Sequence, residues 1–252
     1  MKKALQFLLL LCVAASTLSA QEEPIPPKRS QMAKVGLFGG FTPGWLNVDV
    51  QPFNDFITHA GGAALASGGM FMYGGGGAIY IIVLPNVRLG GVGMSGSLKS
   101  TAVDAVSGIR RDAQLDAGFG GLTIEYVVPF TERLDLAMGG MLGWGGVDLT
   151  MRATNGSANL WNNEYKMFNS PNLPSPTNNL TRVYSGKFFV VVPSVNLEYS
   201  FLGWLGGRIG VSYVGMFFPS WQVDGNYDFL EVPSSVSGKG FMVQAGLFLG
   251  TF

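Results

Sequence analysis

His59 is the only histidine among the 252 residues, and Asp55 stands four positions before it. Asp104 and Ser107 lie in a later loop-like stretch. Together these are the residue types of acyl transfer: an imidazole to take a proton, a carboxylate to orient it and a hydroxyl to attack. Such chemistry requires all three within hydrogen-bond reach, and nothing in their spacing brings them together. We therefore read His59 as an exposed loop residue and expect no enzyme. Metal chemistry has less still to draw on. One histidine and one cysteine, Cys12, leave carboxylates as the only other ligands, and no calcium-loop spacing occurs. No metal or cofactor is expected. The run Gly74 to Gly77 is not a phosphate loop, because G-x-x-x-x-G-K-S/T is absent and no helix follows. The formal charge is zero without a basic stripe, so nucleic acid is not an expected partner.

The charges that stand out are Arg88, Glu125, Asp135, Glu198 and Arg208. Each sits in a segment that alternates apolar and polar residues, close to a short turn. Val195, Leu197 and Tyr199 oppose Ser194, Asn196, Glu198 and Ser200. Ile209, Val211 and Tyr213 oppose Arg208 and Ser212. Leu122, Ile124 and Tyr126 oppose Thr123 and Glu125. Leu134, Leu136 and Met138 oppose Asp135, and Val87 and Leu89 oppose Arg88. Alternation with period two is the mark of a strand with two unlike faces. On a lipid-facing wall near mid-membrane an isolated charge costs ~2–4 kcal/mol. The reading that avoids this cost turns all five charges inward, as a polar and ionic cluster filling the lower lumen of a barrel. The competing reading leaves them at an interface in contact with water.

The elements that must position these residues follow from composition. Only 13% of residues are charged and mean hydropathy is +0.28, which is greasy for a soluble domain of ~25% charge. Residues 1–20 read as a secretory signal. Lys2 and Lys3 are followed by an apolar stretch from Ala4 to Ala15, then by Thr17-Leu18-Ser19-Ala20, with cleavage expected before Gln21. Cys12 leaves with that segment. Beyond it no run of about 18 apolar residues occurs, so helical spans are not expected. In a bilayer the remaining way to pair every backbone group is a closed barrel. Residues 21–32 are polar and proline-rich, a flexible lead-in. The barrel is expected over 33–252.

Eight β-rich segments fall at about 33–42, 69–84, 87–100, 110–128, 133–152, 184–200, 206–219 and 239–252. Connections at Pro85-Asn86, Pro129 to Glu132 and Phe201 to Leu205 are short. Those at 43–68, 101–109, 153–183 and 220–238 are long, and the two kinds alternate strictly. This is the pattern of tight periplasmic turns and longer external loops. Val50 to Ala60, in the first long connection, has the makings of a short helix. Across Gly120-Gly121 the apolar phase jumps from Leu115, Ala117 and Phe119 to Leu122, Ile124 and Tyr126, which predicts a β-bulge. Aromatic residues form two expected belts: Tyr126, Phe130, Tyr199, Phe201 and Trp204 by the short turns, and Trp45, Phe217, Phe218 and Trp221 by the long loops.

With these features the chain resembles the small eight-stranded outer-membrane β-barrel proteins of bacteria. The likeness rests on the signal segment, on Ile124-Glu125-Tyr126 and Leu197-Glu198-Tyr199 before short turns, and on the last strand, Gly246-Leu247-Phe248-Leu249-Gly250-Thr251-Phe252. The resemblance implies an all-β, antiparallel, up-and-down transmembrane barrel of eight strands. It also implies that Phe252 is the aromatic terminus read by the outer-membrane assembly machinery. Gly250 departs from the large apolar residue usual at its position. Expected partners are outer-membrane lipid and that machinery, and the expected state is a monomer. The expected role is structural or surface-interactive, carried by the external loops. The alternatives are a barrel transporting small solutes or hydrophobic ligands, and a lipid-modifying barrel enzyme using His59.

Overall fold

The computed structural model describes residues 36–81, 83–155, 179–233 and 238–250. The signal segment, the lead-in, most of the third long connection and Phe252 lie outside them. The strands are β1 (Leu37–Phe41), β2 (Gly44–Val48), β3 (Met70–Tyr80), β4 (Val87–Val103), β5 (Arg110–Pro129) and β6 (Leu134–Thr154). They continue with β7 (Asn179–Leu202), β8 (Leu205–Val223), the short β9 (Tyr227–Asp228) and β10 (Lys239–Gly250). One helix among the described residues, α1 (Gln51–His59), follows β2.

All pairings are antiparallel. β1 and β2 are two halves of one wall position, because each pairs with β10 on one side and β3 on the other. Pairings of β10 with β8 and of β3 through β8 in order complete a ring of eight. The eight-stranded antiparallel barrel expected from the sequence is the fold. Closure leaves no open seam in the ring of eight among the described residues, which is what a wall bathed in lipid requires.

Several boundaries differ from the sequence reading: β3 ends at Tyr80 rather than 84, and β4 and β8 run on to Val103 and Val223 rather than 100 and 219. The first strand does not end at Thr42. It resumes at Gly44 beyond Pro43, which lacks an N–H and reads as a turn signal but here only interrupts the ladder. The sixth expected segment, β7, begins at Asn179 rather than 184, paired in register with Thr154.

The strands are longer than a bilayer needs. β4 to β8 run 17, 20, 21, 24 and 19 residues, whereas about 9–11 tilted residues cross the hydrocarbon. The surplus lies on the long-loop side, and there the two faces exchange character. On β5 the outward positions nearest the short turns are Tyr126, Ile124 and Leu122, all exposed. Farther up, the same face carries Asp116, Gln114 and Asp112. The inward face reads Glu125 and Thr123 below, then Phe119, Ala117, Leu115 and Ala113 above, the last four buried.

This exchange replaces the bulge expected at Gly120-Gly121. Register runs without a slip through that point against both neighbours. The apolar set moves from the outside to the inside because the surroundings change, while the pleat keeps its phase. The real irregularities are elsewhere, and one of them lies between Ser200 and Leu202 at the short turn after β7. Lys187 pairs with Ser220 but Phe189 pairs with Phe217, so β8 carries one extra residue around Phe218-Pro219.

The aromatic belts are corrected by the same logic. Trp45 and Phe217 are exposed on the outer wall, but Trp221 is buried and Phe218 packs against the core. Their rings stack inside the barrel at 5.1 Å and 19°. The outward rings near that level are Trp144, Phe71, Tyr73 and Phe241.

Candidate functional site

The lower lumen is built from four register partners. Arg88 on β4 is opposite Glu125 on β5, and Glu198 on β7 is opposite Arg208 on β8. All four project inward because they share the parity of the lumen face. Arg88 Nε donates to Glu125 Oε2 at 2.7 Å. Its Nη1 donates to Glu198 Oε2 at 2.8 Å, and its Nη2 to Glu198 Oε1. Arg208 Nε donates to Glu198 Oε1 at 2.7 Å, and its two Nη atoms reach Glu125 at 3.2 Å each. Two guanidinium groups and two carboxylates thus alternate around the lumen.

The remaining contacts tie this ring to the rest of the wall. Asn196 Nδ2 donates to Glu125 Oε1 at 3.3 Å, and Gln244 Nε2 donates to Asn196 Oδ1 at 2.7 Å. The Arg88 guanidinium lies 5.0 Å from the Phe38 ring centroid, and that of Arg208 lies 5.1 Å from Phe248. Asp135 is buried at the same level, opposite Glu198 in register. Arg88 is 1% exposed. Moving such ions out of water costs several kcal/mol each, and only good geometry with further hydrogen bonds repays it. The ring supplies both. Its carboxylates are committed to guanidinium donors, so it holds charge in place.

Above this ring the lumen is apolar. Met70, Met72, Met94, Met141, Met216 and Met242 share it with Leu115, Phe119, Phe188 and Val190, all buried. Methionine suits irregular gaps of this kind. The loop after β2 folds over the top as a cap. Pro52 opens α1, where a missing N–H is no loss. Ile57 is wholly buried, worth ~1.5–3 kcal/mol relative to exposure. Phe53 lies 6.1 Å from Trp221, and Phe56 lies 5.1 Å from Tyr184. Asn54 closes the loop on itself, accepting from the Leu65 N–H at 2.7 Å and donating to the Leu65 carbonyl at 3.1 Å. Ser100 on β4 pins it by a 2.6 Å bond to the Ala63 carbonyl.

The acyl-transfer residues are not assembled. His59 is exposed, and its Nδ1 is 2.6 Å from the Asp55 backbone oxygen, not from the carboxylate. The Asp55 side chain accepts from Gln51 at 2.7 Å. Asp104 caps its own turn by accepting the N–H groups of Val106 and Ser107. Those two bonds hold its carboxyl below the usual range, with a further contribution from Arg111.

Sequence reasoning missed the apolar upper lumen, together with Phe38, Phe248 and Gln244 in the ring's surroundings. A signal was there: Met94, Phe119, Met141 and Met242 share strand parity with Arg88, Glu125, Asp135 and Gln244.

No protein-family model matches the sequence, and no curated protein matches it. Solved structures do resemble the fold. The likeness is to bacterial outer-membrane β-barrels. A major outer membrane protein of Thermus thermophilus matches with a TM-score of 0.46 at 10% identity, over 86% of this chain and 100% of that one. The attachment invasion locus protein Ail of Yersinia pestis matches at 0.38 and 12%, over 86% and 99%. The outer membrane protease OmpT of Escherichia coli matches at 0.35 and 13%, over 87% and 96%. At such identities the likeness is one of fold.

Proposed function

We propose that this chain is a bacterial outer-membrane barrel, exported by a cleaved signal peptide, closed to solutes and without enzymatic activity, whose work is done at its external loops. One observation carries the reading: the exchange of faces along the strands. An apolar outer wall about one bilayer tall sits below a polar outer wall whose interior is packed like a soluble core. That arrangement is economical only if the lower half stands in lipid and the upper half in water.

Closure is supported by two fillings in series, the ionic ring and the capped apolar lumen. A lateral path for hydrophobic ligands has less support, since the ladders around the ring are continuous apart from the Pro43 break, the β8 bulge and a one-residue shift between Ser200 and Leu202 at the short turn. All strand pairings close within one chain, which favours a monomer. The exposed His59, whose ring contacts the Asp55 backbone oxygen and not its carboxylate, supports a non-enzymatic role.

Fractionation with mobility of boiled against unboiled protein, joined to single-channel recording, tests the reading. We expect outer-membrane recovery, a heat-dependent shift and no stable conductance. A stable conductance of porin size, or a soluble periplasmic protein without a shift, would overturn it.

A further inference from the structure

Between the ionic ring and the apolar filling lies a chamber of about 50 Å³. Met94, Phe119, Met141 and Met242 form its roof. Its floor is polar, with Thr123, Ser194, Ser212 and Gln244 above the Glu125 and Arg208 pair. Ser194 and Ser212 are register partners on β7 and β8. The Ser194 hydroxyl accepts from Asn196 Nδ2 at 3.4 Å. Ser212 is 4% exposed, and its Oγ has no hydrogen-bond partner among the described residues.

A buried hydroxyl left without a partner costs ~1–3 kcal/mol, and native interiors seldom carry one. An apolar residue of similar size in its place would avoid that cost, so the hydroxyl calls for a partner from within the chamber. A water needs about 10–15 Å³ and two to four polar contacts. By that measure the chamber has room for about three waters, and its floor offers the contacts on several strands. It is too small for a benzene-sized guest, which occupies a cavity of about 150 Å³. The charged groups bordering it are already committed to one another, which leaves no free charge to select an ion.

We infer that the chamber is a built hydration site, in which about three ordered waters are anchored on Ser212 and shared with Ser194 and Thr123. These waters form the seam between two fillings of opposite polarity. They give the last hydroxyl of the polar layer a partner and spare the methionine roof direct contact with the ion pairs.

The test is a high-resolution crystal structure of the purified protein, with a second crystal pressurised under xenon. Solvent density within hydrogen-bond distance of Ser212 Oγ and of at least one other floor group, with no xenon in the chamber, is the expected result. Xenon in the chamber, or a chamber without solvent density, overturns the inference. In detergent micelles, cross-relaxation between water and the chamber-lining groups should be present in the wild type and weakened in Ser212→Ala. Should that variant not fold, the wild-type measurements decide alone.

Discussion

Replacing Arg88 by Met isolates what the ionic ring contributes. Met keeps the aliphatic bulk and the contact with Phe38 but removes every bond to Glu125 and Glu198. Arg208 is then the one guanidinium shared by two carboxylates that each had two. One buried carboxylate is left uncompensated in a site where Arg88 had been 1% exposed, and removing one member of such a pair costs ~3–5 kcal/mol. Adding Glu198→Gln removes the surplus charge, so the double variant should recover part of the loss. Its departure from additivity should fall within ~0.5–3 kcal/mol. The control is Arg110→Met. Its 3.0 Å pair with Asp112 is exposed, and such pairs contribute ~0–1 kcal/mol. Reversible urea unfolding in micelles, followed by tryptophan fluorescence and by mobility of unboiled samples, measures both single variants, the double variant and the control. An Arg88→Met protein that folds with stability within about 0.5 kcal/mol of wild type, the range of a neutral surface change, refutes the reasoning.

Three further outcomes follow from the same structure. Ile124→Arg places a charge on the outer wall amid lipid and should cost ~2–4 kcal/mol. Gln114→Arg, on the same face of β5 but above the exchange, should stay within about 0.5 kcal/mol, and equal costs in vesicle unfolding would end the two-zone picture. Ile57→Ala removes the innermost anchor of the cap, at ~2–5 kcal/mol. Protease cleavage between β2 and β3 should rise while bilayer conductance stays absent, because the ionic ring still fills the lumen. In the last external loop, the Val183 N–H and Arg182 hold the Asp224 carboxyl below the ordinary aspartate range. A depressed folded value means that this clasp is complete above the unfolded value and is lost as pH falls through the folded one. A carbon-13 titration should place the midpoint below that of free aspartate, and a midpoint at or above it contradicts the contact.

The parts of the fold legible in the sequence are those with one unambiguous environment. Near the short turns, lipid outside and charge inside force strict alternation, and parity alone places Glu125 and Glu198. Higher up the rule inverts. Leu115 and Phe119 obey the same pleat as Glu125, but they are apolar because the lumen there is dry, and a pattern reader meets this as a slip in phase. The cap is half legible. Val50 to Ala60 carries a helical signal, but nothing local tells that Phe53 will find Trp221, which is distant in sequence. Phe218 shares the parity of Arg208 and Ser212, whereas Trp221 reads as a belt residue because the β8 bulge that turns it inward is not visible in the pattern.

The two guanidinium groups rest on Phe38 and Phe248, which belong to the first and last strands of the ring. The plug is therefore finished by residues that meet only when the chain ends have been joined. Until β10 docks, Arg208 lacks its Phe248 flank and the ring stands at an open cleft. A half-built barrel is thus wet and leaky at its centre, and sealing and completion are one event.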